Sequence, residues 1–180
     1  MSHFKPLDLA LCALGAALIA VCSWLSIPFT VPFTLQSFAV ILLAALLGWR
    51  RGMVTVLVYL LLGAVGLPVY SGFRAGLGVL LGATGGYLVG FLLTALAVGL
   101  AGERWGTHFP VMLLAAAVGM LLCYACGTAW FVVVYTRSSG PIGVLGALNL
   151  CVFPFLLPDA VKAVLAVLLA RRLKPLMERR

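Results

Sequence analysis

The chain has 180 residues, 64% of them hydrophobic and 9% charged. Charged residues make up about 25% of an ordinary globular sequence, so a soluble domain of this length is excluded. The formal net charge of +8 does not indicate nucleic-acid binding, because the basic residues fall in short segments between apolar runs, with no interleaved aromatics. Composition gives an all-α integral membrane protein, a single transmembrane domain over residues 1–180 in contact with the lipid bilayer.

The first apolar segment, residues 7–25, is long enough to span a bilayer. It is as apolar as a signal-peptide core, but no small-residue cleavage site follows and equally apolar segments continue to Ala170, so it is read as a retained helix. Cys12, Ala16 and Ala20 form one row along it, and Ala13 and Ala17 the adjacent row. Small residues four apart let membrane helices approach closely; this face either packs internally or receives another protein.

Residues 26–36 repeat Pro-Phe-Thr at 28–30 and 32–34. Prolines four apart forbid a regular helix and favour extended backbone. The following apolar run, 37–48, is about 18 Å long at 1.5 Å per residue, short of a ~30 Å hydrocarbon core. Either the extended segment dips to membrane depth, where Phe29, Thr30, Phe33, Thr34 and Gln36 line a cavity that satisfies its backbone, or it is a plain loop whose prolines stop two helices. Trp49 to Gly52 then reads as a tight turn, and residues 53–67 as a returning span.

Glycines crowd the region from Gly66 through Tyr70, Ser71 and Arg74 to Thr84-Gly85-Gly86-Tyr87. They let backbone come close to a ligand, and a turn opening an apolar helix presents N–H groups to an anion or carbonyl. No P-loop lysine and no GxGxxG after a strand is present, so nucleotide binding is not expected. Further spans are read at 79–101, 110–135 and 155–172, with 142–157 a short broken segment interrupted by Asn149 and Pro154. Seven spans is the alternative count.

These boundaries, with 36–48 and 53–67 as the second and third spans, put Lys5, Arg50, Arg51, Arg104, Arg171, Arg172, Lys174, Arg179 and Arg180 on one side and Arg74 and Arg137 on the other. Short loops rich in Lys and Arg stay cytoplasmic. Six transmembrane helices with both termini cytoplasmic follow, in a multi-pass membrane protein.

Of the four acids, Asp8, Glu103 and Glu178 lie near a terminus or beside Arg104, where water is expected. Asp159 lies between two apolar runs, and an ionisable group there marks a functional site. With Pro158 at the first position of a helix, Asp159 and Lys162 share one face; the pair is either a self-satisfied structural ion pair or part of a cavity for a polar ligand. Cys12, Cys22, Cys123, Cys126 and Cys151 lie in or beside apolar spans, as small core residues do. Cys123 and Cys126 have the C-x-x-C spacing of a thiol oxidoreductase, but far from the water in which thiolates form. No metal site and no Ser-His-Asp set is evident, no cofactor is expected, and the chain is not read as an enzyme.

Taken together, Ile27 to Gln36, Leu47 to Gly52, Tyr59 to Val69, Gly78 to Gly90 and Pro158 to Lys162, in this order, resemble the BioY family, the biotin-specific substrate-binding components of energy-coupling-factor (ECF) transporters. The resemblance runs from about residue 7 to 172. It implies a six-helix protein that captures biotin from outside, with a separate transmembrane coupling protein and two cytoplasmic ATPases supplying energy. It further implies a ligand site near the outer face: Asp159 and Lys162 as the ligand-contacting pair, Thr84, Gly85, Gly86 and Tyr87 as its glycine-rich wall, and residues 26–36 and 68–87 enclosing it, with Phe29, Phe33, Gln36, Tyr70, Ser71 and Arg74 as candidates. Arg74 is the candidate anchor for the ligand carboxylate. Ala13, Ala16, Ala17 and Ala20 match the surface used to dock on the coupling protein. Ala83 stands where the family often has proline. A component for a different vitamin on the same scaffold, and a membrane thiol oxidoreductase using Cys123 and Cys126, are the alternatives.

Overall fold

The computed structural model describes residues 5–28 and 31–178. Helix α1 (Pro6–Trp24) begins at a proline suited to the first helical position and is closed there by Asp8, whose carboxylate accepts from the Lys5 backbone N–H at 3.0 Å. A short antiparallel pair follows, β1 (Ser26–Ile27) with β2 (Phe33–Thr34), with Ser26 opposite Thr34 and Ile27 opposite Phe33. Extended backbone in this proline-rich stretch is as expected; Phe29 and Thr30 lie outside the described residues.

Helix α2 (Gln36–Ala64) doubles back on itself. Gly48 has φ 78° and ψ 177°, open to glycine and strained for other residues. Its two halves, 36–47 and 49–64, pack side by side: the Gln36 side chain reaches Tyr59 at 2.6 Å, although 23 residues separate them. A Cβ at Gly52 would lie 3.1 Å from the Ala44 Cα. The chain therefore turns at Gly48 alone, and Trp49 to Gly52, read above as the turn, belong to the returning helix. Glu103 explains why the reversal holds here, since its Oε1 accepts the Trp49 backbone N–H at 3.2 Å, one of the donors a new helix start leaves unpaired.

The connection 65–76 contains a 3-10 turn (Ser71–Phe73) and leads into α3 (Leu77–Leu81). A break at 82–84 then separates α3 from α4 (Gly85–Trp105), so the span expected at 79–101 is two helices. Next come α5 (Phe109–Ser139), α6 (Val144–Cys151) and α7 (Phe153–Glu178). At eight residues α6 is about 12 Å long, far too short to cross a ~30 Å hydrocarbon core by itself. Pro158 lies inside α7 and does not start it. Among the described residues, five helices are long and apolar enough to cross a membrane, and the folded-back α2 makes six antiparallel rods of helix.

Helix α4 is the centre, packed most extensively on α2 and α5; α1 and α7 lie against α2. The interior is filled by apolar side chains such as Ile19, Ile41, Val56, Val98, Phe131 and Val167, while Leu14, Leu61, Leu121 and Leu165 face outward, as lipid contact requires. The small-residue rows of α1 divide in use: Cys12, Ala16 and Ala20 are buried inside the protein, and Ala13 and Ala17 are exposed. Asp8, expected near water, is buried with its carboxylate 2.9 Å from Arg51.

Candidate ligand site

Asp159 and Lys162 are i and i+3 on α7, so they project from one face, with Lys162 Nζ 2.7 Å from Asp159 Oδ1. Both are buried. Neighbouring elements complete the cluster. The first turn of α2 brings Ser37, whose hydroxyl donates to Asp159 Oδ1 at 2.9 Å. Helix α5 brings Tyr124, whose hydroxyl donates to Asp159 Oδ2. Strand β2 supplies the Thr34 carbonyl, which accepts from Lys162 Nζ at 2.7 Å, and the Phe33 ring, whose centroid lies 3.9 Å from the same nitrogen. Phe33 is in turn stacked on Phe155, with ring centroids 6.2 Å apart. The cation is thus held by a carboxylate, a carbonyl and an aromatic face, and is not an isolated charge.

This cluster forms one wall of a cavity. Gln36, Tyr70, Ser71, Arg74, Thr84, Tyr87, Asp159 and Lys162 all line it, together with Thr34. Gln36 is held from both ends: its amide nitrogen donates to Tyr59, and its carbonyl oxygen accepts from Thr34 Oγ1 at 3.0 Å. The apolar side of the cavity is Leu88, Phe91, Met120, Cys123, Cys151 and Phe155.

The rim comes from the connection 65–76, which other elements hold down. Ser23 donates to the Val69 carbonyl, and Trp24 Nε1 donates to the Pro68 carbonyl at 2.9 Å. Tyr70 is buried, its hydroxyl donating to the Leu60 carbonyl at 2.7 Å, and its ring lies where a Cβ at Gly63 would be. Burial pushes its hydroxyl above the usual tyrosine range, so it stays a neutral donor. Arg74 is exposed and donates from Nε to the Ser71 carbonyl at 3.1 Å.

Three of the sequence candidates stand apart from the lining. Gly85 and Gly86 are packing positions: a Cβ at Gly85 would strike the Leu80 carbonyl, and one at Gly86 the Trp130 side chain. Phe33 lies behind Lys162, and Phe29 is outside the described residues. The wall also contains Ser37, Tyr124, Phe91, Met120, Cys151 and Phe155, none read from the sequence as ligand-lining, and Cys123, noted there only for its C-x-x-C spacing with Cys126. Hydroxyls and apolar groups carry no signal of depth in an apolar chain. Cys123 donates its thiol to the Tyr87 carbonyl at 3.4 Å, and Cys123 and Cys126 are both free thiols.

The cavity thus offers a buried, hydrogen-bonded ion pair beside aromatic and sulfur-bearing walls, with a guanidinium at the rim. Such a site suits a small ligand with an N–H or carbonyl head, an apolar middle and an anionic end.

The sequence model described as the BioY family matches residues 1–179. A biotin transporter BioY of Thermotoga maritima is 42% identical over 161 residues, covering 89% of this chain and 91% of the relative. A probable biotin transporter BioY of Pyrococcus horikoshii is 37% identical, covering 94% of this chain and 98% of the relative. The crystal structure of the S-component for biotin from an ECF-type ABC transporter superposes with a TM-score of 0.84 at 28% identity, covering 97% of this chain and 95% of that one.

Proposed function

Because the chain belongs to the BioY family, we propose that it captures biotin at the outer face of the cytoplasmic membrane as the substrate-binding component of an ECF-type transporter. It is a multi-pass membrane protein of a bacterial or archaeal plasma membrane. The cavity-lining Asp159–Lys162 pair carries the reading. Biotin has a ureido ring with two N–H donors and a carbonyl, a thioether ring and a valerate carboxylate. Asp159 accepts a ureido N–H, Lys162 donates to the carbonyl, Phe91, Met120 and Phe155 enclose the apolar rings, and Arg74 at the rim faces the carboxylate.

Energy comes from partners: a transmembrane coupling protein and two cytoplasmic ATPases. The termini and the Gly48 reversal, with Arg50 and Arg51 beside it, are cytoplasmic, which puts the basic excess inside and the cavity outside. The exposed Ala13 and Ala17 row of α1 faces the coupling protein, while Ala16 and Ala20 support it from within. The chain catalyses no reaction of its own, and residues 1–180 act as one transmembrane domain.

The test is equilibrium binding of labelled biotin to the purified chain in detergent, with unlabelled vitamins as competitors. Wild type binds biotin and resists competition by other vitamins. Asp159→Asn weakens binding by about 2 kcal/mol or more, the scale of a charge-assisted hydrogen bond. Unchanged affinity in the variant removes Asp159 from the site, and displacement by another vitamin at lower concentration reassigns the ligand.

A further inference from the structure

We propose that Tyr124 is a positioning residue for ligand capture: its hydroxyl fixes the Asp159 carboxylate so that a single acceptor position, on Oδ2, remains for an N–H donor of the bound cyclic urea. The inference rests on the biotin reading above and concerns a residue that neither charge nor motif singles out.

An ionised carboxylate has about four lone-pair positions. Oδ1 accepts from Ser37 at 2.9 Å and from Lys162 at 2.7 Å, and Oδ2 accepts from Tyr124. The three donors come from α2, α7 and α5, so the plane of the carboxylate is set by three separate elements. Lys162 cannot follow a rotating carboxylate freely, because it also donates to the Thr34 carbonyl and lies over the Phe33 ring. Every buried side-chain polar atom among the described residues has a partner. A ligand therefore enters as an added donor to an arrangement already complete, and the geometry of the open position decides what fits.

Tyr124 is buried and lines the cavity, so its hydroxyl meets Asp159 at the wall the ligand touches. Without it, Asp159 is held through Oδ1 alone, and Oδ2 is free to turn away from the ligand position. The loss then acts through Asp159, which separates positioning from plain packing. The same arrangement favours a ligand that donates N–H at this point; one presenting a carbonyl or carboxylate there meets an acceptor with an acceptor.

The experiment compares wild type, Tyr124→Phe, Asp159→Asn and the double variant, each as the full chain in detergent with labelled biotin. Tyr124→Phe is expected to weaken binding about tenfold in the wild-type background, the effect of one hydrogen bond to a charged group. It is expected to change nothing further in the Asp159→Asn background, because coupled residues are not additive. Equal losses in both backgrounds, no loss, or tighter binding would each overturn the proposal. Absence of biotin binding by wild type ends the biotin reading alone. In that event, or if Asp159→Asn binds below detection, the ligand-free chain decides. There the infrared carboxylate band assigned by its disappearance in Asp159→Asn must shift in Tyr124→Phe; an unshifted band overturns the proposal.

Discussion

Two ion pairs lie at opposite ends of the molecule, and the two acids are equally buried. The Asp159 and Asp8 side chains are each 11% exposed, yet Lys162 is 8% exposed and Arg51 43%. Asp159 accepts from three side chains on three elements beside a cavity. Asp8 accepts from its own helix start and from one arginine that water can reach. Burial of the acid is thus not what distinguishes a ligand site from a fastening. What matters is whether the cation can fall back on water, because a charge stranded without a partner in a dry site is what costs several kcal/mol.

Removing one partner of the buried pair breaks this contrast most severely. Lys162→Met leaves the Asp159 carboxylate beside a hydrophobic chain, and a loss of about 3–5 kcal/mol is expected, read as a lowered melting temperature in detergent, with biotin binding abolished. Adding Asp159→Leu removes the stranded charge, so melting recovers to near the wild-type value while binding stays lost. A double variant as unstable as the single would mean that the pair holds the fold together in its own right, and the distinction between the two ends would fail.

Gly48→Ala comes next and acts at the opposite end. A side chain at φ 78° and ψ 177° is strained by about 1–3 kcal/mol, and the added Cβ would strike the Glu103 carboxylate that caps Trp49. A total loss of about 2–3 kcal/mol is expected from strain and the lost cap together. Biotin affinity is expected to stay within about twofold, since well-separated sites behave independently. A large loss of affinity with little loss of stability would show that the turn communicates with the cavity.

The same two ends show what the sequence makes legible. Asp159 and Lys162 stand out because charge is rare in an apolar chain, and the extended backbone at 26–27 and 33–34 because the prolines beside it are unambiguous. Tyr124 and Ser37 do not stand out, because which hydroxyl meets Asp159 depends on the rotation of α5 and α2 about their own axes. Periodicity gives no such information between helices. At the turn, Arg50 and Arg51 draw attention to themselves, yet the reversal falls on Gly48. Gly52 is a glycine in the same stretch, and what separates them is the Glu103 carboxylate arriving from α4 to cap Trp49. Asp8 looks solvated because it is near the terminus; its burial follows from Arg51 on the returning half of α2 folding over it. Gly85 and Gly86 read as a ligand wall, but the space they leave is filled by Leu80 and Trp130.

The smallest effect is expected at Arg51. Arg51→Ala removes the partner of a buried acid, the change that is severe at Lys162, but here Asp8 keeps its bond from the Lys5 N–H and the departed guanidinium was nearly half exposed. Water takes its place, so the loss should be below about 1 kcal/mol, as for exposed pairs. It should shrink further as salt is raised, because salt screens the wild-type attraction and leaves the variant unchanged. Biotin affinity should not move. Melting curves of wild type and Arg51→Ala at low and high salt decide the matter. A loss as large as that of Lys162→Met, persisting in high salt, would mean that Asp8 is as dry as Asp159, and that exposure of the cation does not govern the difference between the two ends.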